Sequence, residues 1–390
     1  MVVFYYTSVA YLDIALEVIN AIKKAVELHV VIEIAPESRA TNILNVLSLH
    51  GLPTLASPDQ VLDKESLSLF QPYFKEAASV QFFVQKNPKT FSIGMLRDCQ
   101  TLSRYISSVA PDIIHFDTAK ARALGLLPLL HRKFRNKVFI TIHDPLPHSG
   151  EFNWRNFLVK RGFFPVSAGF IFYSAFSEKI FRQVYPSYHR KTAVIGMHPY
   201  SFYRNYLPAP PSPRETILFF GRISQYKGVD IFLKAIPIVL AQFPQQKFVI
   251  AGSKSAAYTL DAENIRASGE HLELLLQHIS NEQLVQLAAA AKMVVCPYRD
   301  ATQSGVLMTA FACHTGVIAS NVGAFPEFIV SGQNGELCEP DDAEQLAACI
   351  INSLRNNTWE NWTINLAAST QDDAWLNETT TIVDIYRRLA

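Results

Sequence analysis

Residues 216–230 read TILFFGRISQYKGVD: an apolar run, a glycine, a loop with two cations, and a second glycine where a helical pattern starts. An apolar run followed by a loop and a helical start also occurs at 294–312 (VVCPYRDATQSGVLMTAFA) and at 319–340 (ASNVGAFPEFIVSGQNGELCEP). Each stretch reads as a buried strand that ends at a loop and enters a helix. Strands separated by helices imply a parallel sheet covered on both faces, an α/β doubly wound fold. In such sheets ligands bind where strands end, at the point where strand order reverses.

Working outward, the remaining strands of this half are expected at 217–220, 247–251, 272–275, 293–297 and 317–319, with a helix at 343–354. The first half shows the same alternation. Strands are expected at 2–6, 28–34, 112–116, 138–142, 170–173 and 192–195, and a helix at 13–26. Between the halves lies PYSFYRNYLPAPPSPRE, with five prolines and no core periodicity. Four segments follow: a first domain at 1–198, a Pro-rich linker at 199–215, a second domain at 216–374 and a C-terminal helix at 375–390. In that last helix Trp375, Ile382, Ile385 and Tyr386 are the apolar contacts, and it is expected to pack back on the first domain. With two such domains, the cleft between them is the expected active site.

Composition excludes several classes. The 390 residues carry 35 basic and 34 acidic side chains, a net charge of +1, which argues against a general nucleic-acid binder. Hydrophobic content of 49% suffices for two large cores. Cys99, Cys296, Cys313, Cys338 and Cys349 are odd in number and show no CxxC pairing, so they read as reduced core residues. The apolar N-terminus lacks the basic start of a signal peptide and reads as a first strand. No apolar run reaches the ~20 residues that span a bilayer. The expectation is a cytoplasmic protein, with peripheral contact at the inner membrane face through basic and aromatic residues at 131–137 (HRKFRNK) and 160–170 (KRGFFPVSAGF). A solvated face beside a core strand is the competing reading of those two segments.

The loops carry the chemistry. Gly221 ends its strand, and Arg222 and Lys227 sit before a helix N-terminus, where free amides and the helix dipole favour an anion. An arginine fork and a lysine point charge suit a diphosphate. Two solvated charges on a turn is the alternative. In the next loop, Asp300, Thr302, Gln303 and Ser304 offer polar groups for sugar hydroxyls, and Gly305 lets backbone approach a ligand. The amides of Ser304, Gly305, Val306 and Leu307 would be the unpaired donors of the first turn. Thr309 lies one turn on, on the same helix face. An ordinary strand–helix junction capped by Ser304 is the alternative. Glu327 is placed to open the helix after Gly323, as a cap or as a ligand. In the first half, His143 and Asp144 follow a strand, with His148 a weaker candidate. A lone histidine there is as readily structural as catalytic. No His/Cys spacing of a zinc site appears, so no metal is expected.

These residues resemble glycosyltransferase family 4, whose fold is GT-B: two Rossmann-like doubly wound parallel-sheet domains with an interdomain cleft. The resemblance covers the second domain and is weaker over the first. GRISQYKG is similar to the family's G-R-x-x-x-x-K-G loop, which implies that Arg222 and Lys227 grip the donor diphosphate. His143–Asp144 matches the family's His–Asp, which implies that His143 contacts the donor sugar. The stretch before CPY implies a base contact near Ile279. GAFPE and NGELCEPDDAEQLA are similar to the family's G-G-x-P-E and G-x-L-x-x-P-x-D. Two departures stand out. The family's paired glutamates, eight positions apart, fall on Ala301 and Thr309. Where members often have a Gly-rich N-terminal turn, this chain has Tyr6-Thr7-Ser8-Val9-Ala10, and Thr7 and Ser8 become acceptor-side candidates.

The resemblance implies a retaining, metal-independent transfer of a sugar to an acceptor hydroxyl in polysaccharide or glycolipid synthesis. The co-substrate is a nucleoside-diphosphate sugar, UDP or GDP, with no other cofactor and no nucleic-acid partner. The acceptor is a sugar, a glycan or a lipid-linked molecule. Two rivals remain. One is a catalytically silent GT-B subunit that binds a nucleotide sugar or a partner enzyme, motivated by the missing glutamates. The other is a dehydrogenase, weakened because no GxGxxG follows a first-half strand.

Overall fold

A computed structural model describes residues 1–35, 44, 49–86, 91–146, 154–255, 258–369 and 372–390. The chain folds into two compact units. The first combines Met1–Gly196 with Asp372–Ala390, and the second is Met197–Gln371.

The first unit holds an eight-stranded sheet. Its strands are β1 (Val2–Ser8), β2 (Glu27–Ile34), β3 (Leu55–Ala56), β4 (Ser79–Val84), β5 (Ile113–Phe116), β6 (Val138–Thr141), β7 (Ser167–Phe172) and β8 (Thr192–Val194), in the order β3-β4-β2-β1-β5-β6-β7-β8. All pairs are parallel except β3–β4 at the edge. Buried on both faces, the central strands read as unbroken apolar runs, as VVFYYTS does in β1. The chain builds from β1 through β2 to β4 on one side, then crosses back to β5 on the other, so strand order reverses between β1 and β5. The helix Asp372–Leu389 belongs to this unit, with Trp375, Ile382, Ile385 and Tyr386 buried. Its Thr379 hydroxyl donates to the Ala21 carbonyl at 2.6 Å.

The second unit holds six parallel strands: β9 (Thr216–Phe220), β10 (Lys247–Ala251), β11 (Leu272–Leu275), β12 (Ala291–Cys296), β13 (Val317–Ser320) and β14 (Gly335–Cys338). Their order is β11-β10-β9-β12-β13-β14, so the reversal lies between β9 and β12.

Three strands escape the sequence pattern. β3 has two residues, β4 (SVQFFV) is half-exposed over its first three, and β14 (GELC) opens on glycine and carries a glutamate. Each lies at or beside a sheet edge, where burial is incomplete and no continuous apolar run is needed. The Pro-rich stretch 199–215 also differs from its reading. The change of unit falls at Gly196–Met197, and Ser201–Tyr206 forms a 3-10 helix with Phe202 and Tyr203 buried in the second unit. Arg214 anchors the far end, donating to the carbonyls of Ala291, Cys313 and His314 and to the Thr315 hydroxyl at 2.7–3.2 Å. Prolines suppress helical periodicity, but the aromatic side chains between them still find a core. No helix among the described residues is long and apolar enough to cross a membrane.

Candidate functional site

At the reversal point of the second unit, two loops meet through their backbones. After β9, Gln225–Lys227 forms one 3-10 turn, closed by Gly228 in the left-handed region (φ 68°), which also caps the helix Val229–Leu240. Gly228 lies against the end of β12: a Cβ there would stand 1.8 Å from the Pro297 carbonyl oxygen. The Arg299 amide donates to the Tyr226 carbonyl at 2.8 Å, which adds a second tie. Gly221 abuts the helix Gly305–Ala312, its notional Cβ 3.2 Å from Val306 Cγ2. The third loop joins where the Ala324 amide donates to the Ala301 carbonyl at 2.9 Å.

This packing gathers the predicted residues of the second unit. Arg222 is exposed and Lys227 half-buried on the β9 loop. The Lys227 ammonium sits 3.9 Å from the centre of the Tyr298 ring and 5.2 Å from that of Tyr226, so two π faces hold the charge in place. Asp300, Thr302 and Gln303 follow on the β12 loop, with Thr302 buried. The helix Gly305–Ala312 starts next. Ser304 caps it, its hydroxyl accepting from the Leu307 amide at a long 3.4 Å. The Leu307 amide is therefore not an unpaired donor as the pattern implied, because the cap reaches it. The amides of Gly305 and Val306 remain as first-turn donors without an intrahelical acceptor. Thr309 is on this helix but only 3% exposed. Ile279 lies in the loop after β11, on the same edge of the sheet. Glu327 is exposed at the third position of the short helix Phe325–Phe328.

Arg299 was absent from the sequence candidates. Its guanidinium forks onto Asp230 at 2.9 and 2.7 Å, donates to the Gln225 carbonyl at 2.8 Å, and donates through Nε to Asp341 at 2.5 Å. Burial works against the Asp230 charge, but the Arg299 hydrogen bonds and charge outweigh it and hold that carboxyl below its usual range. The partners are 69 and 42 positions away in sequence, so no local spacing announces them.

At the reversal point of the first unit, β1, β5 and β6 end together. Asp117, directly after β5, is fully buried and was also missed. It accepts from the Thr7 hydroxyl at 2.8 Å and the Tyr173 hydroxyl at 3.3 Å. His143 Nε2 lies 2.9 Å from the Asp117 carbonyl oxygen and 3.5 Å from its carboxylate. Burial alone would lower the His143 pKa, but the Asp117 charge prevails and raises it; reciprocally, burial raises and His143 lowers that of Asp117, to a net depression. Each group thus favours the charged form of the other. Tyr11 stacks on the His143 ring, centroids 4.0 Å apart. The Ser8 hydroxyl is fully buried and has no hydrogen-bond partner among the described residues. Asp144 is half-buried and lines, with His143, Tyr11, Lys120 and Arg122, a cavity of about 410 Å³. His148 lies outside the described residues. Asp117 could have been found from its place, since it ends a strand beside the reversal.

The suggested membrane-facing segments change character. Phe134, Phe163 and Phe164 are buried in the first unit's core, while His131, Arg132, Lys133 and Arg161 are exposed. Those aromatic rings fill the layer under the sheet and leave only the charges outside.

Residues 214–356 match the family described as Glycosyl transferases group 1. The second unit carries a group 1 glycosyltransferase domain. Over 185 residues the chain is 28% identical to the D-inositol 3-phosphate glycosyltransferase of Mycobacterium ulcerans, covering 45% of this chain and 39% of that one. Over 153 residues it is 31% identical to the phosphatidyl-myo-inositol mannosyltransferase of Mycolicibacterium smegmatis, covering 37% and 38%. The chain thus matches about two fifths of the length of these curated relatives. The structure of Anabaena Alr3699/HepE in complex with UDP and glucose superposes with a TM-score of 0.66 over 100% of both chains, at 16% identity. The catalytic domain of starch synthase IV from Arabidopsis thaliana, bound to ADP and acarbose, gives 0.66 over 99% and 98%, at 14%. The fold around the group 1 domain is GT-B, two Rossmann-like parallel-sheet units.

Proposed function

We propose that the protein is a retaining glycosyltransferase that moves a hexose from a nucleoside-diphosphate sugar, UDP- or GDP-linked, to an acceptor hydroxyl in glycolipid or polysaccharide synthesis. The observation that carries this reading is the convergence of Arg222, Lys227 and the Gly305–Val306 amides at the β9/β12 reversal of a group 1 domain. As the glycosidic bond breaks, negative charge builds on the leaving diphosphate. Two cations and a helix N-terminus fixed beforehand stabilise that charge without reorganising, the kind of term that usually dominates catalysis. Lys227, held over Tyr298, would meet the phosphate as a fixed point charge. None of these residues is a nucleophile, and a same-face attack assisted by the leaving phosphate uses what is present. No metal ligand set is invoked.

The first unit would take the acceptor. Its cavity, the unpartnered Ser8 hydroxyl and the His143 ring supply hydrogen-bonding groups for a polyol. Both inositol-linked relatives named above act on polyols by their titles, which supports such an acceptor here. A second reading, a silent subunit, is favoured by one observation: Ala301 and Thr309 are both buried and carry no charge where family 4 glutamates are expected.

The test is a thermal-shift panel with UDP, GDP, ADP, CDP and dTDP, with and without divalent metal. A ligand that binds only the folded state raises the melting temperature. A shift with one nucleotide, followed by transfer from its sugar, supports the reading. No shift with any of them would overturn it in favour of a silent subunit.

A further inference from the structure

The helix Val229–Leu240 presents a difficulty for the donor site just proposed. Its N-terminus directly follows the turn that carries Lys227, so a diphosphate held by Lys227 would lie beside it, yet Asp230 stands in its first turn. A carboxylate there is favourable to an empty helix, since it complements the dipole. It is unfavourable to a second anion arriving at the same end, which it repels. Arg299 removes the conflict. Its fork covers both Asp230 oxygens, and the Tyr258 hydroxyl donates to Oδ1 at 3.3 Å. The same guanidinium reaches the Gln225 carbonyl inside the turn that carries Lys227. It also holds Asp341, whose φ of 57° places it in a tight turn before the helix Ala343–Asn356.

We propose that Arg299 is a positioning residue of the donor site: it neutralises Asp230 at the helix N-terminus and fixes the Gln225–Gly228 turn so that Lys227 and the loop amides accept a diphosphate. This rests on the donor-site reading above and deepens it, because it makes a salt bridge behind the loop a determinant of anion affinity. Both charges of the pair are about a quarter to a third exposed (28% and 31%), so a simple contribution to stability is small and the larger effect is on ligand charge. Arginine is required over lysine because only a planar fork can cover two oxygens while reaching a carbonyl and a second carboxylate.

The experiment measures binding of UDP, GDP and pyrophosphate by calorimetry to the full chain and four variants, each checked for its melting temperature. Arg299→Gln should weaken binding about tenfold, the equivalent of one unit on a logarithmic affinity scale. Arg299→Lys should fall between it and the unaltered chain. Asp230→Asn alone should bind at least as tightly as the unaltered chain. The double variant Arg299→Gln/Asp230→Asn should recover most of the loss, because the unpaired carboxylate is gone. A merely structural role predicts no recovery, with the double variant no better than Arg299→Gln. Unchanged affinity in a folded Arg299→Gln, or no recovery in a folded double variant, overturns the proposal. If Arg299→Gln does not fold, Arg299→Lys and the double variant decide in the same way. An unaltered chain that binds pyrophosphate but no nucleotide sinks the nucleotide-sugar reading while leaving this one open to the same comparison. Binding of neither sinks both.

Discussion

Replacing Gly228 with alanine tests the junction on which the proposed donor site depends. The residue has φ 68°, where a non-glycine residue costs about 1 kcal/mol in backbone strain. The added Cβ would lie 1.8 Å from the Pro297 oxygen, whereas real Cβ contacts stay beyond 3.0 Å. The loop must therefore withdraw by about 1.2 Å, because Pro297 follows directly on the buried strand β12 and cannot yield. Overpacking of this kind costs about 1–3 kcal/mol. Together the two effects predict a loss of about 3 kcal/mol, or roughly 6–12 °C for a unit of this size at 2–4 °C per kcal/mol. The shift also lifts Lys227 off the Tyr298 ring, and a misplacement near 1 Å can lower a rate about a hundredfold. Differential scanning calorimetry and nucleotide titration read both effects. Gly269→Ala is the control: its φ is 54°, but a Cβ there has nothing within 4 Å, so only the backbone strain applies. If Gly228→Ala matches Gly269→Ala in melting temperature and nucleotide affinity, the two loops are not locked as described and the reasoning fails.

Three further outcomes are expected. Lys227→Ala should lower kcat/KM with the correct donor by about 10²–10³ while the melting temperature changes little, and near-normal kinetics would remove Lys227 from the site. Asp117→Asn should lower the His143 pKa relative to the unaltered chain, since burial is then opposed only by the Asp144 charge and the Asp117 carbonyl; histidine NMR titration reads this, and an unshifted His143 would refute the pairing. In the intact pair, His143 contributes stability that is present below about pH 6.5 and is lost as pH rises through its raised folded pKa. His115 acts in the opposite sense: burial pushes its pKa down to about 4, and Tyr386 and Thr141 bond its ring nitrogens at 2.6 and 2.8 Å. Stability from this neutral ring is present above about pH 6.5 and fades as pH falls towards 4, by up to about 3 kcal/mol, and urea midpoints across that range should lose this slope in His115→Asn.

The sequence determined the architecture because its signal is local. A strand buried on both faces must be an apolar run, and a parallel connection must return through a helix, so β1, β9, β10 and β12 could be read from composition along a few residues. The loop GRISQYKG was legible for the same reason: glycines, two cations and a following helix lie within one short stretch. Where burial is partial, at β3, β4 and β14, that signal fades. Tertiary structure alone decided which distant residues surround the loop. Arg299 meets Asp230 and Asp341, Asp117 meets Thr7 and His143, and Tyr298 meets Lys227, each across 26 to 110 positions or across separate loops. These contacts form because parallel strands far apart in the chain end side by side, and no periodicity or spacing in one segment encodes which strand will be its neighbour.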